Sequence, residues 1–226
     1  MPDRTDRAMR PRWRWIGAPV LALTVLAGCS SSTGVPSVVV VGDAVVAAAR
    51  TQIDAALVPP YSPRYLVRPA GSIGELSALL QNSIQSSGTP AVAITALGTA
   101  DALHPGGNPR AAGAPLAPLV SATAAVPCVV LTTVDVQADA RSGGTVAARI
   151  NREVKALALA DPEKYKVVDW NEFLNTLPAP SVPTYLRADS LVETSAGARW
   201  LATADLAAVR ACGTRHQPTV IGPNDG

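Results

Sequence analysis

Four consecutive β-branched residues, Val38-Val39-Val40-Val41, constrain this chain more than any other feature. A strand with one wet face alternates apolar and polar residues, whereas an unbroken apolar run is expected where both faces are buried. Such a strand needs a covering layer on each side, and the rest of the chain supplies candidates. Gly42-Asp43 ends the run, and residues 45–57 read as an Ala-rich helix. Residues 64–68 are a short strand candidate. Ser72 reads as an N-cap with Glu75 three residues on, the pattern of a capping box, and residues 73–86 carry Ile73, Leu76, Leu79, Leu80 and Ile84 at helical spacing. Strands are expected at 91–97 and 127–133, separated by a Gly/Pro-rich loop at 104–109 and an Ala-rich helix at 112–124. An amphipathic helix at 145–159, a short strand at 166–169 and a last helix at 194–210 complete the order.

Strict alternation of strand and helix predicts a parallel sheet with helices on both faces. The expected fold class is α/β: a flavodoxin-like doubly wound sandwich around a five-stranded parallel sheet, order 2-1-3-4-5. Ligands of such sheets bind at the carboxyl ends of the strands, near the switch point. The loops after Val41, Leu97, Thr133 and Asp169 are therefore where function is to be sought. Hydrophobic residues make up 48% of the 226 residues and charged residues 16%, which excludes intrinsic disorder. With only 4% aromatics, the core must come from Ala, Val, Leu and Ile.

The first 28 residues have a different character. Five Arg (4, 7, 10, 12 and 14) precede an apolar run of 12 residues, 16–27, too short to span a bilayer. A charged region, an apolar region and then small residues describe an export signal. Without that segment 14 basic and 15 acidic residues remain, so the formal charge of +2 does not describe a nucleic-acid binder. Leu26-Ala27-Gly28-Cys29 resembles the bacterial lipobox. The resemblance implies cleavage before Cys29 and acylation of that residue, palmitate included, which makes the chain a lipoprotein on the outer face of the cell membrane. Residues 30–36 are a short tether, reaching at most ~25 Å when extended. The expected organisation is a signal peptide at 1–28, lipidated Cys29 and tether at 29–36, one domain at 37–212 and a tail at 213–226. High Ala content with three Lys fits a GC-rich, actinobacterial genome. In an oxidising compartment the remaining cysteines, Cys128 and Cys212, are expected to form a disulfide; the alternative is two buried thiols.

Three strand-end segments carry a second resemblance. Gly42-Asp43-Ala44 follows the first strand, Gly98-Thr99-Ala100-Asp101 the third, and Asp189-Ser190-Leu191-Val192 precedes the last helix. Together they resemble the SGNH (GDSL-type) hydrolase superfamily, whose pattern is Gly-Asp-Ser, Gly-x-Asn-Asp and Asp-x-x-His in that order. Val167-Val168-Asp169-Trp170 and the helix containing Asn151 are similar to its later blocks, so the likeness spans 37–212. It implies that the nucleophilic Ser falls on Ala44, the oxyanion-hole Asn on Ala100 and the catalytic His on Val192. What remains is Gly42, Asp43, Gly98, Asp101 and the orienting Asp189, with Gly71 or Gly74 as the remaining oxyanion glycine. Acyl transfer needs a nucleophile, a base and oxyanion donors. Their joint absence predicts an SGNH-like pseudoenzyme.

That pseudoenzyme is expected to be a binding or accessory protein of the cell envelope, its partner an envelope glycolipid, an acylated glycan or an acyltransferase. One alternative is an active esterase or acyltransferase in which His104, from Asp101-Ala102-Leu103-His104, activates Thr99 or Ser190. Another is a structural envelope lipoprotein, and a third reads Asp43 and Asp189 as a glycosidase carboxylate pair. Trp170 is expected in the core or the cleft wall. No metal site is expected from two scattered histidines, His104 and His216, and no cofactor from a chain without a phosphate-binding glycine pattern.

Overall fold

A computed structural model of the chain describes residues 36–103, 115–137, 145–187 and 192–213. Five strands, β1 (Ser37–Gly42), β2 (Ser62–Val67), β3 (Val92–Ala96), β4 (Cys128–Thr132) and β5 (Tyr165–Val168), pair in parallel in the order β2-β1-β3-β4-β5. In the middle of the sheet Val40 stands opposite Tyr65 on one side and Ile94 on the other. This is the doubly wound order expected, and its switch point lies between β1 and β3.

Eight α-helices are described: α1 (Ala44–Leu57), α2 (Ile73–Ser87), α3 (Thr99–Leu103), α4 (Ala117–Ala122), α5 (Val146–Ala160), α6 (Trp170–Thr176), α7 (Val182–Tyr185) and α8 (Ser195–Gly213). Side chains alternate faces along a strand, and the valine run shows the consequence directly. Val38 and Val40 enter one core with Val46, Ile53 and Leu57 of α1 and Leu201 and Val209 of α8. Val39 and Val41 enter the other, with Ile73, Leu76 and Leu80 of α2, Leu119 of α4 and Ile150 and Val154 of α5. All four valines are at most 1% exposed. A polar residue anywhere in the run would place an unpaired polar group in one of two cores.

Local signals hold where they were strongest. The Ser72 hydroxyl accepts the Glu75 N–H at 3.3 Å while Glu75 takes the Ser72 N–H at 2.9 Å, a complete capping box for α2. Three differences are instructive. α3 and α6 have only five and seven residues, too few for a helical period to show in sequence. The helix expected over 112–124 is Ala117–Ala122 among the described residues. The last helix runs beyond residue 210 to Gly213, and near that end Cys212 is joined to Cys128 at the start of β4. The Cα atoms of this disulfide are 5.9 Å apart and it closes a separation of 84 residues.

Candidate functional site

The carboxyl ends of β1 and β3 are held together by one carboxylate. β1 ends at Gly42, where a Cβ would lie 2.0 Å from Val46 Cγ2 and 3.1 Å from the Ala96 carbonyl, so the position accepts only glycine. Asp43 follows, fully buried. Its Oδ1 accepts the Val45 N–H (3.1 Å), which caps α1, and its Oδ2 accepts the Thr99 N–H (2.9 Å) at the start of α3. The Asp43 N–H in turn donates to the Ala96 carbonyl at 3.2 Å. Burial raises the Asp43 carboxyl to about 6, against the pull of the N–H groups of Val45, Thr99 and Ala100 and the Thr99 hydroxyl. Those donors are the orphan N–H groups of two helix N-termini, which favour the anion.

Ala44 and Ala100 flank this carboxylate, each half-buried: Ala44 is the first residue of α1, and the Ala100 N–H is among the donors to Asp43. Gly98 precedes them with φ +109°, a conformation that favours glycine, and a Cβ there would lie 2.7 Å from Ile150. Asp101, also buried, accepts the Ile73 N–H at 2.8 Å and so ties α3 to the start of α2. Of the two glycines in that region, Gly71 donates its N–H to the Arg68 carbonyl at 2.8 Å. Gly74 stands at the second position of α2, where a helix N–H has no intrahelical acceptor, with open space beside it.

The third segment leads into α8, and the Asp43 charge acts on its Glu193. Leu186 and Glu193 form an isolated antiparallel bridge, Val192 accepts the Arg187 N–H (3.1 Å), and Thr194 caps α8 by accepting from Ala196 and Gly197. Gly197 is enforced by the Tyr185 carbonyl, 2.2 Å from where a Cβ would lie. Val192 is half-buried. Glu193 is 2% exposed, and among the described residues neither of its carboxyl oxygens has a hydrogen-bond partner on another residue. Burial pushes this carboxyl up to about 8. The Asp43 charge pushes the same way, while the Glu193 N–H and Arg187 pull against it. The burial of Glu193 therefore favours the neutral acid over the carboxylate. Sequence reasoning missed it, because a lone Glu before a helix looks like an ordinary solvated residue. Asp189, Ser190, His104, His216 and Cys29 lie outside the described residues.

Between α1, β3, β4 and Trp170 the site encloses about 10 Å³, bounded also by Thr99, Thr133 and Asp135. That is room for a water molecule. Asp135 is buried with Oδ2 unpartnered, and burial raises its carboxyl. Trp170 is both core and wall: 2% exposed, it packs against Phe173 and Trp200 with ring centroids 5.6 and 5.5 Å away. Two other residues of the motif blocks act structurally. Asn151 exchanges a pair of hydrogen bonds with the Val134 backbone (2.8 and 2.7 Å), and Asp169 caps α6 while pairing with Lys155 at 2.8 Å. Among the described residues no three His, Cys, Asp or Glu converge as metal ligands. Nor, among them, is any helix long and apolar enough to cross a membrane.

No family model and no curated protein sequence matches the chain. Solved structures do. The lipase/acylhydrolase from Enterococcus faecalis superposes with a TM-score of 0.64 at 16% identity, over 77% of this chain and 95% of that one. A lipolytic G-D-S-L family protein from Veillonella parvula gives 0.59 at 16% identity, over 76% and 96%. The C-terminal catalytic domain of peptidoglycan O-acetyltransferase A from Streptococcus pneumoniae gives 0.57 at 14% identity, over 78% and 93%. With its sheet order and the Asp43 cradle at the ends of β1 and β3, the chain has an SGNH (GDSL) hydrolase-like fold.

Proposed function

We propose that this chain is a lipid-anchored, extracytoplasmic binding protein that keeps the scaffold of an SGNH hydrolase without its chemistry. The observation that carries the reading is that methyl groups flank the Asp43 cradle: Ala44 at the start of α1 and Ala100 at the start of α3. An acyl-transfer site requires a hydroxyl at the first and a hydrogen-bond donor at the second. Val192, where the resemblance puts the catalytic His, has no proton to move. The Thr99 hydroxyl is engaged by Asp43 and so serves the cradle. Gly42, Asp43, Gly98 and Asp101 persist because they hold α1, α2 and α3 in place, a role that does not depend on catalysis. Partners of the stated class are envelope glycolipids, acylated glycans or an acyltransferase.

The reading is tested with residues 30–226, which include the compact unit that begins at Gly34. Hydrolysis of p-nitrophenyl acetate is expected at the rate of buffer alone. Turnover that disappears in His104→Ala would replace this reading with that of an active enzyme using a relocated base. The anchor is tested separately, by metabolic labelling of the full chain with a fatty-acid analogue. Label in the wild type and none in Cys29→Ser is expected; equal label in both would remove the anchor.

A further inference from the structure

The opposite end of the sheet carries a second concavity that the proposed site does not use. It lies where the strands begin, between the start of β3 (Ala91, Val92), the segment before β4 (residues 124–127) and the end of α8 (Val209), with the Cys128–Cys212 disulfide in its wall. Its volume is about 700 Å³, in the range of sites for small molecules. Turns that enter the strands of an α/β sandwich run over the surface and are ordinarily polar. Here Ala91, Ala124, Ala125 and Pro127 are exposed, while Val92, Val126 and Val209 are buried beneath them. An exposed apolar concavity of this kind marks a binding surface.

Charge narrows the occupant. Lys164 stands at the mouth, its Nζ donating to the Ala124 carbonyl at 2.9 Å, but Asp161 and Glu163 line the same mouth. The mouth therefore has no net attraction for an anion, and recognition must come from the apolar walls. Chain length supplies the source. Pro36 is part of the rim and is the seventh residue after Cys29, a reach of at most ~25 Å. On the lipid-anchor reading above, this end of the domain stays within that distance of a membrane surface. We propose that the concavity takes one acyl chain of a lipid from that membrane, held by the exposed Ala91, Ala124, Ala125 and Pro127.

The test uses residues 30–226 and the fluorescent eighteen-carbon fatty acid cis-parinaric acid. Saturable one-to-one binding is expected, weakened roughly tenfold or more by Ala125→Trp and by Ala91→Trp, which fill the concavity from two sides. Circular dichroism melts identify which variant remains folded. Removing residues 214–226 is expected to leave binding unchanged. Absence of saturation in the wild type overturns the proposal. Saturation only after the truncation would assign the concavity to the chain's own tail. A concentration-dependent dimer that the probe does not dissociate would assign it to a second copy. Binding unchanged in both Trp variants would place the probe elsewhere. Because this protein lacks Cys29 and the readout is not hydrolysis, loss of the anchor or of the pseudoenzyme reading leaves the binding result intact.

Discussion

The Asp43 Oδ2 accepts the Thr99 N–H at 2.9 Å across 56 residues of sequence, joining the N-termini of α1 and α3 through one buried carboxylate. A bond of this kind is charge-assisted and shielded from water, so it contributes more than a surface cap. It keeps the carboxyl ends of β1 and β3 assembled whatever side chains stand at Ala44 and Ala100 beside it.

Asp43→Ala should therefore destabilise the fold. It removes the acceptor from at least two buried N–H groups, a loss of about 2–4 kcal/mol. Urea unfolding followed by circular dichroism measures it. A midpoint within error of the wild type would show that the cradle contributes nothing.

Stability should fall as pH rises from about 5 to about 8.5. The Glu193 carboxyl is raised from 4.5 to about 8, and those of Asp43 and Asp205 from 3.8 to about 6 and about 7, burial being the first cause in each. Between the ordinary and the raised values the folded chain holds protons that the unfolded chain has released, so each unit of pH in that window favours unfolding. Glu75 and Asp169 are lowered instead, and their contribution is lost only in acid. Glu193→Gln should match the wild type near pH 5 and gain on it by a few kcal/mol near pH 8. Thermal melts across this range provide the check, and a wild-type melting temperature that rises with pH would contradict it.

Reducing Cys128–Cys212 should lower stability by ~3–5 kcal/mol, because the bridge closes a loop of 84 residues and restrains the unfolded chain. Melting with and without reductant, beside a Cys128→Ala/Cys212→Ala variant, measures it. The double variant and the reduced wild type should agree; identical melts for oxidised and reduced protein would show that the bridge contributes no stability.

Restoring chemistry should require more than a nucleophile. Ala44→Ser alone should remain silent toward p-nitrophenyl acetate, since a serine without a base stays protonated. Adding Val192→His supplies the base, and Ala100→Asn supplies a donor that contributes ~3 kcal/mol to oxyanion stabilisation. Weak turnover is expected only when nucleophile and base are both present. Turnover by Ala44→Ser alone would mean that another group already acts as base.

The layered architecture was legible in the chain itself. Val38–Val41 announces a strand buried on both faces, and Ser72 with Glu75 announces the start of α2, because side-chain alternation and capping act within about four residues. The order of the sheet followed from the alternation of strand and helix, since right-handed crossovers leave few topologies. Two of the motif segments were legible as positions: Ala44 and Ala100 stand beside Asp43 at the ends of β1 and β3, whereas Asp189 of the third lies outside the described residues. The electrostatics of the site were not. Asp43 reads as a motif residue, yet its donors come from Val45 and Thr99, and only the β1–β3 pairing brings Thr99 to it. Glu193 reads as a solvated residue ahead of a helix, and the bridge to Leu186 accompanies its burial. A hydrophobic period or a cap belongs to one segment, so sequence alone determines it. The charge state of a carboxyl depends on which other segments exclude water from it, and only the tertiary structure decides that.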